Sequence, residues 1–367
     1  MDGTIDFHTH FLPKKYAQAL KKHIPGDPDG WPTPGWDEHL TLGFMRKNHI
    51  SYSILSLSSP HFNFGDKDET VEIARDANET GSQVTQRHRD KLGYFASLPL
   101  PYLNETLEEI DFALDHDALG FTVPTNTRGL YFGTPIFDPI YARLNQKKAI
   151  VLMHPNRPSQ GPLNVNIDMP TPLMGFFMDT TFYAVNAVVH FDFMDTTMTF
   201  MNLIRYHFFD RYPDIKLIVP HAGAFLSILA DRDAAFVKQQ YNADMYAILR
   251  HVYFDTAGAV FPRQLPMLLT LADESHVLYG SDIPYTAPMI AAQMLKLFEP
   301  ETYRAKMANR ITKLKHFDPV MTHFKKFRAL PTVLNMSSKM LTGAEILSPE
   351  MAQDILVNNG QRLLGKI

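Results

Sequence analysis

Eight short apolar or β-branched runs recur along the chain, each followed by residues with helical spacing. They read "TIDFHTH", "SYSILSLSS", "KLGYFASLPL", "ALGFTVPT", "AIVLMHP", "IKLIVPHAG", "HVYFDTAG" and "HVLYGSDIP". Apolar residues three and four apart predict helices between them over 68–89, 103–116, 136–147, 197–211, 224–240 and 261–273. Strands that alternate with helices pair in parallel, and eight of them argue for a closed α/β structure, a (β/α)8 TIM barrel, over an open sheet. "IVLM" and "KLIV", apolar on both faces, suit strands buried between a barrel interior and a helical shell. A length of 367 residues fits one extended barrel or two smaller domains, and the eight-fold alternation selects a single domain over 1–367.

Two stretches exceed an ordinary connection. Residues 155–196 separate the fifth strand from its helix and are rich in Pro, Met and Phe, so a packed lid is expected there. "FMDTT" occurs in it twice, at 177–181 and 193–197, and reads as two helix N-caps, Asp179 and Asp195; a duplicated binding element is the alternative. The second stretch, about 298–346, is basic from Arg304 to Arg328, with Asp318 the one acid there. It reads as a solvated helical face, or else as a subunit contact.

The formal net charge of −4 gives no global reason to expect nucleic acid or an anionic membrane as partner. With no cysteine, thiolate ligation and disulfides are excluded, and any metal must be held by histidine, carboxylate, backbone or water. The first strand starts within a few residues of Met1, which leaves no room for a signal peptide, and no run is apolar for long enough to span a bilayer. A cytoplasmic protein is expected.

Polar residues recur where the strands end: His8 and His10 on the first, His154 on the fifth, His221 on the sixth and Asp282 after the eighth. Residues i and i+2 of a strand share a face, so His8 and His10 point the same way. The carboxyl ends of barrel strands open onto one face, which gathers all five side chains. Imidazole nitrogen and carboxylate oxygen are what a divalent cation such as zinc takes, with a position left for water or substrate. His8, His10, His154 and Asp282 would complete the protein ligands, and His221 would stand back to exchange a proton near neutral pH. Arg157, just past His154, and Arg232 can pair with a carboxylate through two parallel hydrogen bonds. Phe176, Phe177 and Phe193 could cover a planar substrate.

The strings "DFHTHF", "VLMHP", "VPHAG" and "LYGSDIP", in this order, resemble the amidohydrolase superfamily and, more narrowly, its aminocarboxymuconate-semialdehyde decarboxylase branch. That branch includes 6-methylsalicylate, γ-resorcylate and uracil-5-carboxylate decarboxylases. The resemblance runs nearly end to end, through "ILVNNGQRLLG" close to the C-terminus. It implies one divalent metal, zinc first and manganese second, on His8, His10, His154 and Asp282, with His221 as catalytic histidine. It also implies Arg232 at the substrate, sometimes of a neighbouring subunit in a homodimer, and Tyr285 lining the pocket. Two departures matter. "ALGFTVPT" has no lysine to bridge two metals, so a mononuclear site is expected; Thr41 and Gly43 stand where the aminocarboxymuconate enzyme carries arginines, which weakens the case for a dicarboxylate.

The reaction expected is non-oxidative loss of CO2 from a small aromatic or unsaturated carboxylic acid, with Asp282 as proton donor and His221 positioning an oxygen or relaying the proton. The same ligands would also serve a hydrolase of a small lactone or amide that uses metal-bound water. A metal-binding barrel kept as an interaction module is disfavoured, because neither ligand nor base is missing.

Overall fold

The computed structural model describes residues 3–26, 28, 32–156, 192–299 and 346–365. All eight runs are strands: β1 Thr4–His10, β2 Ile50–Ser56, β3 Leu92–Ser97, β4 Gly120–Pro124, β5 Ile150–His154, β6 Lys216–Val219, β7 Tyr253–Asp255 and β8 Val277–Leu278. They pair in parallel in sequence order. The residues after β8 close the ring onto β1: Phe7 N donates to Tyr279 O at 2.9 Å, Asp282 N to His8 O at 2.8 Å and His10 N to Ile283 O at 2.7 Å. Gly280 makes this seam possible, since a Cβ there would lie 2.7 Å from the Cβ of His8. The fold is the (β/α)8 barrel expected from the alternation.

β1 carries a bulge that arranges the site. Ile5 faces Tyr52 and Asp6 faces Ser53, but Thr9 then faces Leu55 and His10 faces Ser56, so three steps along β1 match two along β2. One extra residue inverts the in-and-out alternation. Ile5 and Phe7 therefore join the apolar cluster of Tyr52, Ile54, Phe95, Leu152, Ile218 and Leu278 inside the barrel, while His8 and His10 above them also turn inward. A regular strand could not have done both. Each fully buried apolar side chain in that cluster contributes about 1.5–3 kcal/mol.

The helices follow the expected positions with two exceptions. Lys67–Arg87 is capped by Asp66, whose side chain accepts from Glu69 N, and Leu103–Asp115, Asp138–Gln146 and Leu226–Tyr241 form where the spacing places them. The helix expected over 261–273 is only Gln264–Leu268. Pro266 has no N–H to contribute, Thr270 Oγ1 takes the Met267 carbonyl at 2.7 Å, and Asp273 caps a separate turn at Glu274–His276.

The helix expected over 197–211 starts earlier, at Asp192, and runs to Arg205, with Phe208–Arg211 a separate turn. Residues 192–196 are thus helix and not lid. Asp195 is not an N-cap: it lies inside the first turns and is fully buried. Its carboxylate accepts from Thr125 Oγ1 and, at 2.8 Å, from Asn126 Nδ2. A tertiary partner after β4 has overridden the local capping pattern.

Arg157, Phe176, Phe177, the first "FMDTT" with Asp179, and the basic stretch from Arg304 to Arg328 lie outside the described residues. No described helix is long and apolar enough to cross a membrane.

Candidate metal centre and active site

Four imidazoles meet at the carboxyl ends of the strands. Ring centroids lie 4.7 Å apart for His8 and His10, 4.9 Å for His10 and His154, 5.3 Å for His8 and His154, and 5.0 Å for His8 and His221. Asp282 Oδ1 sits 3.2 Å from His10 Nε2 and 3.6 Å from His8 Nε2. Ligand atoms of His8, His10 and His154 fall within 4.8 Å of one another, as do those of His8, His221 and Asp282. The five side chains singled out at the strand ends are therefore together.

The nitrogens not aimed at the centre are tied down. His8 Nδ1 meets Asp255 Oδ2 at 2.8 Å, His10 Nδ1 meets Ser56 O at 3.2 Å, and His154 Nδ1 meets Pro155 O at 2.9 Å. An imidazole that donates from Nδ1 presents a lone pair at Nε2, and this is how metal-binding histidines are oriented. Yet the Nε2 atoms of His8 and His10 face each other at 2.9 Å. Two lone pairs do not face each other at that distance unless a proton or a cation lies between them. The local charge agrees. Burial opposes ionisation of His8, but Asp255 and Asp282 overcome it and raise the imidazole to about 9. Burial pushes His10 down instead, against its hydrogen bond to Asp282. His154 is pushed well down by burial and by the neighbouring imidazoles. Burial would lift Asp282, but the hydrogen bond from His10 and the charges of His8, His10 and His221 hold it well below the usual carboxylate range. The donor set thus fits a divalent cation: three imidazole nitrogens, one ionised carboxylate, and surroundings that stabilise positive charge.

Asp255, at the end of β7, is the functional residue that strand-end reading passed over. It is fully buried, and besides His8 it accepts from His221 N at 2.9 Å and Ala257 N at 3.0 Å. Burial alone would raise its carboxyl; the charge and hydrogen bond of His8 hold it below its ordinary value. The only signal in the sequence was a strand closing on Asp in "YFDTAG". Asp255→Ala strands a buried cationic histidine and two amides, so it should cost about 3–5 kcal/mol. Urea denaturation of chelator-treated protein measures this apart from metal; an unchanged midpoint would remove the structural role given to Asp255.

His221 lies just past β6 in the left-handed region, at φ 55° and ψ 46°. Asp255 fixes its N–H, and Gln264 Nε2 donates to its carbonyl at 2.6 Å, so both sides of the strained residue are held. The Phe193 ring packs 5.1 Å from the imidazole, and Tyr285 stands edge-on 5.4 Å from His10. Both therefore border the site as expected. Arg232 lies exposed on the helix Leu226–Tyr241.

The family model for amidohydrolases matches residues 5–366. The chain belongs to the amidohydrolase family. Among its relatives, the decarboxylase macB of Penicillium terrestre is 33% identical over 303 residues, covering 77% of this chain and 84% of its own. The 6-methylsalicylic acid decarboxylase of Penicillium expansum is 30% identical over 291 residues, covering 76% and 84%. A crystal structure described as amidohydrolase II is 47% identical with a TM-score of 0.77, covering 99% of each chain.

Proposed function

We propose that this chain is a metal-dependent, non-oxidative decarboxylase of a small hydroxylated aromatic acid, working as one domain over 1–367. The observation that carries the reading is the donor set of His8, His10, His154 and Asp282 with His221 beside it, in a chain whose relatives include decarboxylases. The metal assigned is a single ion, zinc first and manganese second. β4, with sequence "GFTVP", offers no lysine to bridge two ions.

A divalent ion held by these residues supplies Lewis-acid charge neutralisation to the carboxylate and an adjacent oxygen of the substrate. The chain's own residues do the rest. Asp282, ionised at rest, takes the proton of the substrate hydroxyl and delivers it to the ring carbon that bears the carboxylate. A C–H bond forms there, the bond to the carboxylate breaks, and its electron pair returns to the ring as CO2 leaves. His221, neutral at rest, takes up a proton from solvent and passes it to the ring oxygen, so that one proton is consumed for each CO2 released. Phe193 and Tyr285 border the ring and keep water from it. Arg157 is retained as a carboxylate partner. The exposed Arg232 is retained as a second carboxylate partner, in its own or a neighbouring subunit, which keeps a homodimer in the proposal.

Metal analysis of the purified protein, followed by CO2 release from ortho-hydroxy aromatic acids, pyrimidine carboxylates and muconate semialdehydes, tests the reading. About one ion per chain with CO2 evolved is expected. An ion without CO2 from any acid would replace the decarboxylase by a hydrolase of lactones or amides.

A further inference from the structure

A small cavity of about 20 Å³ opens beside His154, between the ends of β2 and β5. That is room for about one water molecule or one hydroxyl oxygen. Its walls are apolar at Phe62, Val123 and Pro155 and polar at Ser97 and Thr122, and both His61 and the proposed ligand His154 line it. His61 lies in the loop after β2 and belongs to no motif discussed above.

Its position is fixed and its ring is not satisfied. His61 N donates to Asn156 Oδ1 at 3.0 Å, and Asn156 is itself held by Thr125 Oγ1 at 2.9 Å and Asn126 O at 3.0 Å. Thr125 and Asn126 are the residues that grip Asp195, so one buried network sets the β2 loop, the β4 end and the helix Asp192–Arg205 together. The ring packs 4.1 Å from that of Phe62. Both ring nitrogens are buried, and neither meets a partner with hydrogen-bond geometry among the described residues. Leaving such atoms unpaired costs free energy, so whatever oxygen occupies the cavity, a water or a substrate hydroxyl that displaces it, is their partner. Burial pushes the imidazole down to about 3, against the pull of the Leu98 carbonyl, which approaches the ring without good hydrogen-bond geometry. Neutral imidazole offers one donor and one acceptor, which matches a hydroxyl and not a second carboxylate.

We propose that His61 is a specificity-determining residue that hydrogen-bonds a ring hydroxyl of the substrate, whose oxygen enters this cavity beside the metal centre. The proposal rests on the decarboxylase reading for the way the acid is oriented. It is tested by calorimetric binding of salicylate and its monohydroxylated derivatives to the holoenzyme as purified, with His61→Leu and His61→Gln alongside.

At least one added hydroxyl should tighten binding to the unmodified enzyme about tenfold. His61→Leu should remove that gain while leaving salicylate within about twofold, and His61→Gln, which keeps a donor and an acceptor, should restore part of it. A His61→Leu loss shared equally by every acid would make the residue structural. No hydroxyl-dependent loss, or no acid bound at all, would overturn the proposal outright. CO2 release read in the same samples separates the two ideas: hydroxyl-dependent binding without CO2 removes the decarboxylase and leaves His61 in place, and CO2 with no His61 effect does the reverse.

Discussion

Replacing His10 by alanine is expected to take the metal content of the purified protein from about one ion per chain to near zero, and to reduce turnover on the order of a thousandfold or more. His10 is an informative ligand to change because, unlike His8, it holds no buried carboxylate outside the ligand set. His8 is locked to Asp255, and its loss would unsettle the fold as well as the centre. His10 reaches the Ser56 carbonyl on one side and Asp282 on the other. Removing its ring takes away one of four donors and leaves the Asp255 pair intact. The expected loss of turnover follows from magnitude: Lewis-acid stabilisation is worth several kcal/mol, and each 1.4 kcal/mol is about tenfold. Element analysis after dialysis against a weak chelator reads the first effect, and chelator-treated melting curves check that the fold survives. Full metal occupancy in His10→Ala would remove His10 from the ligand set and reopen the choice between the two three-donor groups that the cluster contains.

The barrel and the five strand-end residues were legible because both rest on short-range regularities. Eight alternations imply the topology, and the topology alone places every strand's carboxyl end on one face. What escaped depends on distance through space. Asp255 closes a strand as plainly as His154 does, but its meaning comes from His8, 247 positions away. The bulge in β1 comes from its register against β2, and nothing in "TIDFHTH" marks the step at which the alternation inverts. Asp195 was misread because D-T-T ahead of an apolar run is a sound local cap signature, while Thr125 and Asn126 give the same carboxylate a better use inside the fold. His61 had no pattern to belong to, since its significance is that two buried nitrogens go unpaired beside a pocket.

His221→Ala should leave metal content unchanged and still lower kcat by a factor on the order of 10²–10⁴, the range expected when a positioned proton carrier is removed. The two halves of that statement pull apart the two ways in which His221 can belong to the cluster. By distance alone it qualifies as a ligand, in a trio with His8 and Asp282. Its hydrogen bonds argue otherwise. Each of the other three imidazoles has its Nδ1 committed to an oxygen of Asp255, Ser56 or Pro155, which fixes both tautomer and direction. His221 Nδ1 is buried with no partner among the described residues, and its ring is placed by packing against Phe193 and His8 and by its strained backbone. A ring free to take and give a proton at that nitrogen suits a carrier better than a ligand. Burial pushes it down to about 4, so it stands neutral at rest and able to accept. Metal lost together with activity would make His221 a ligand and return His10 or His154 to a supporting place. Metal kept with turnover intact would leave it a structural histidine, and the proton would have to travel by Asp282 alone.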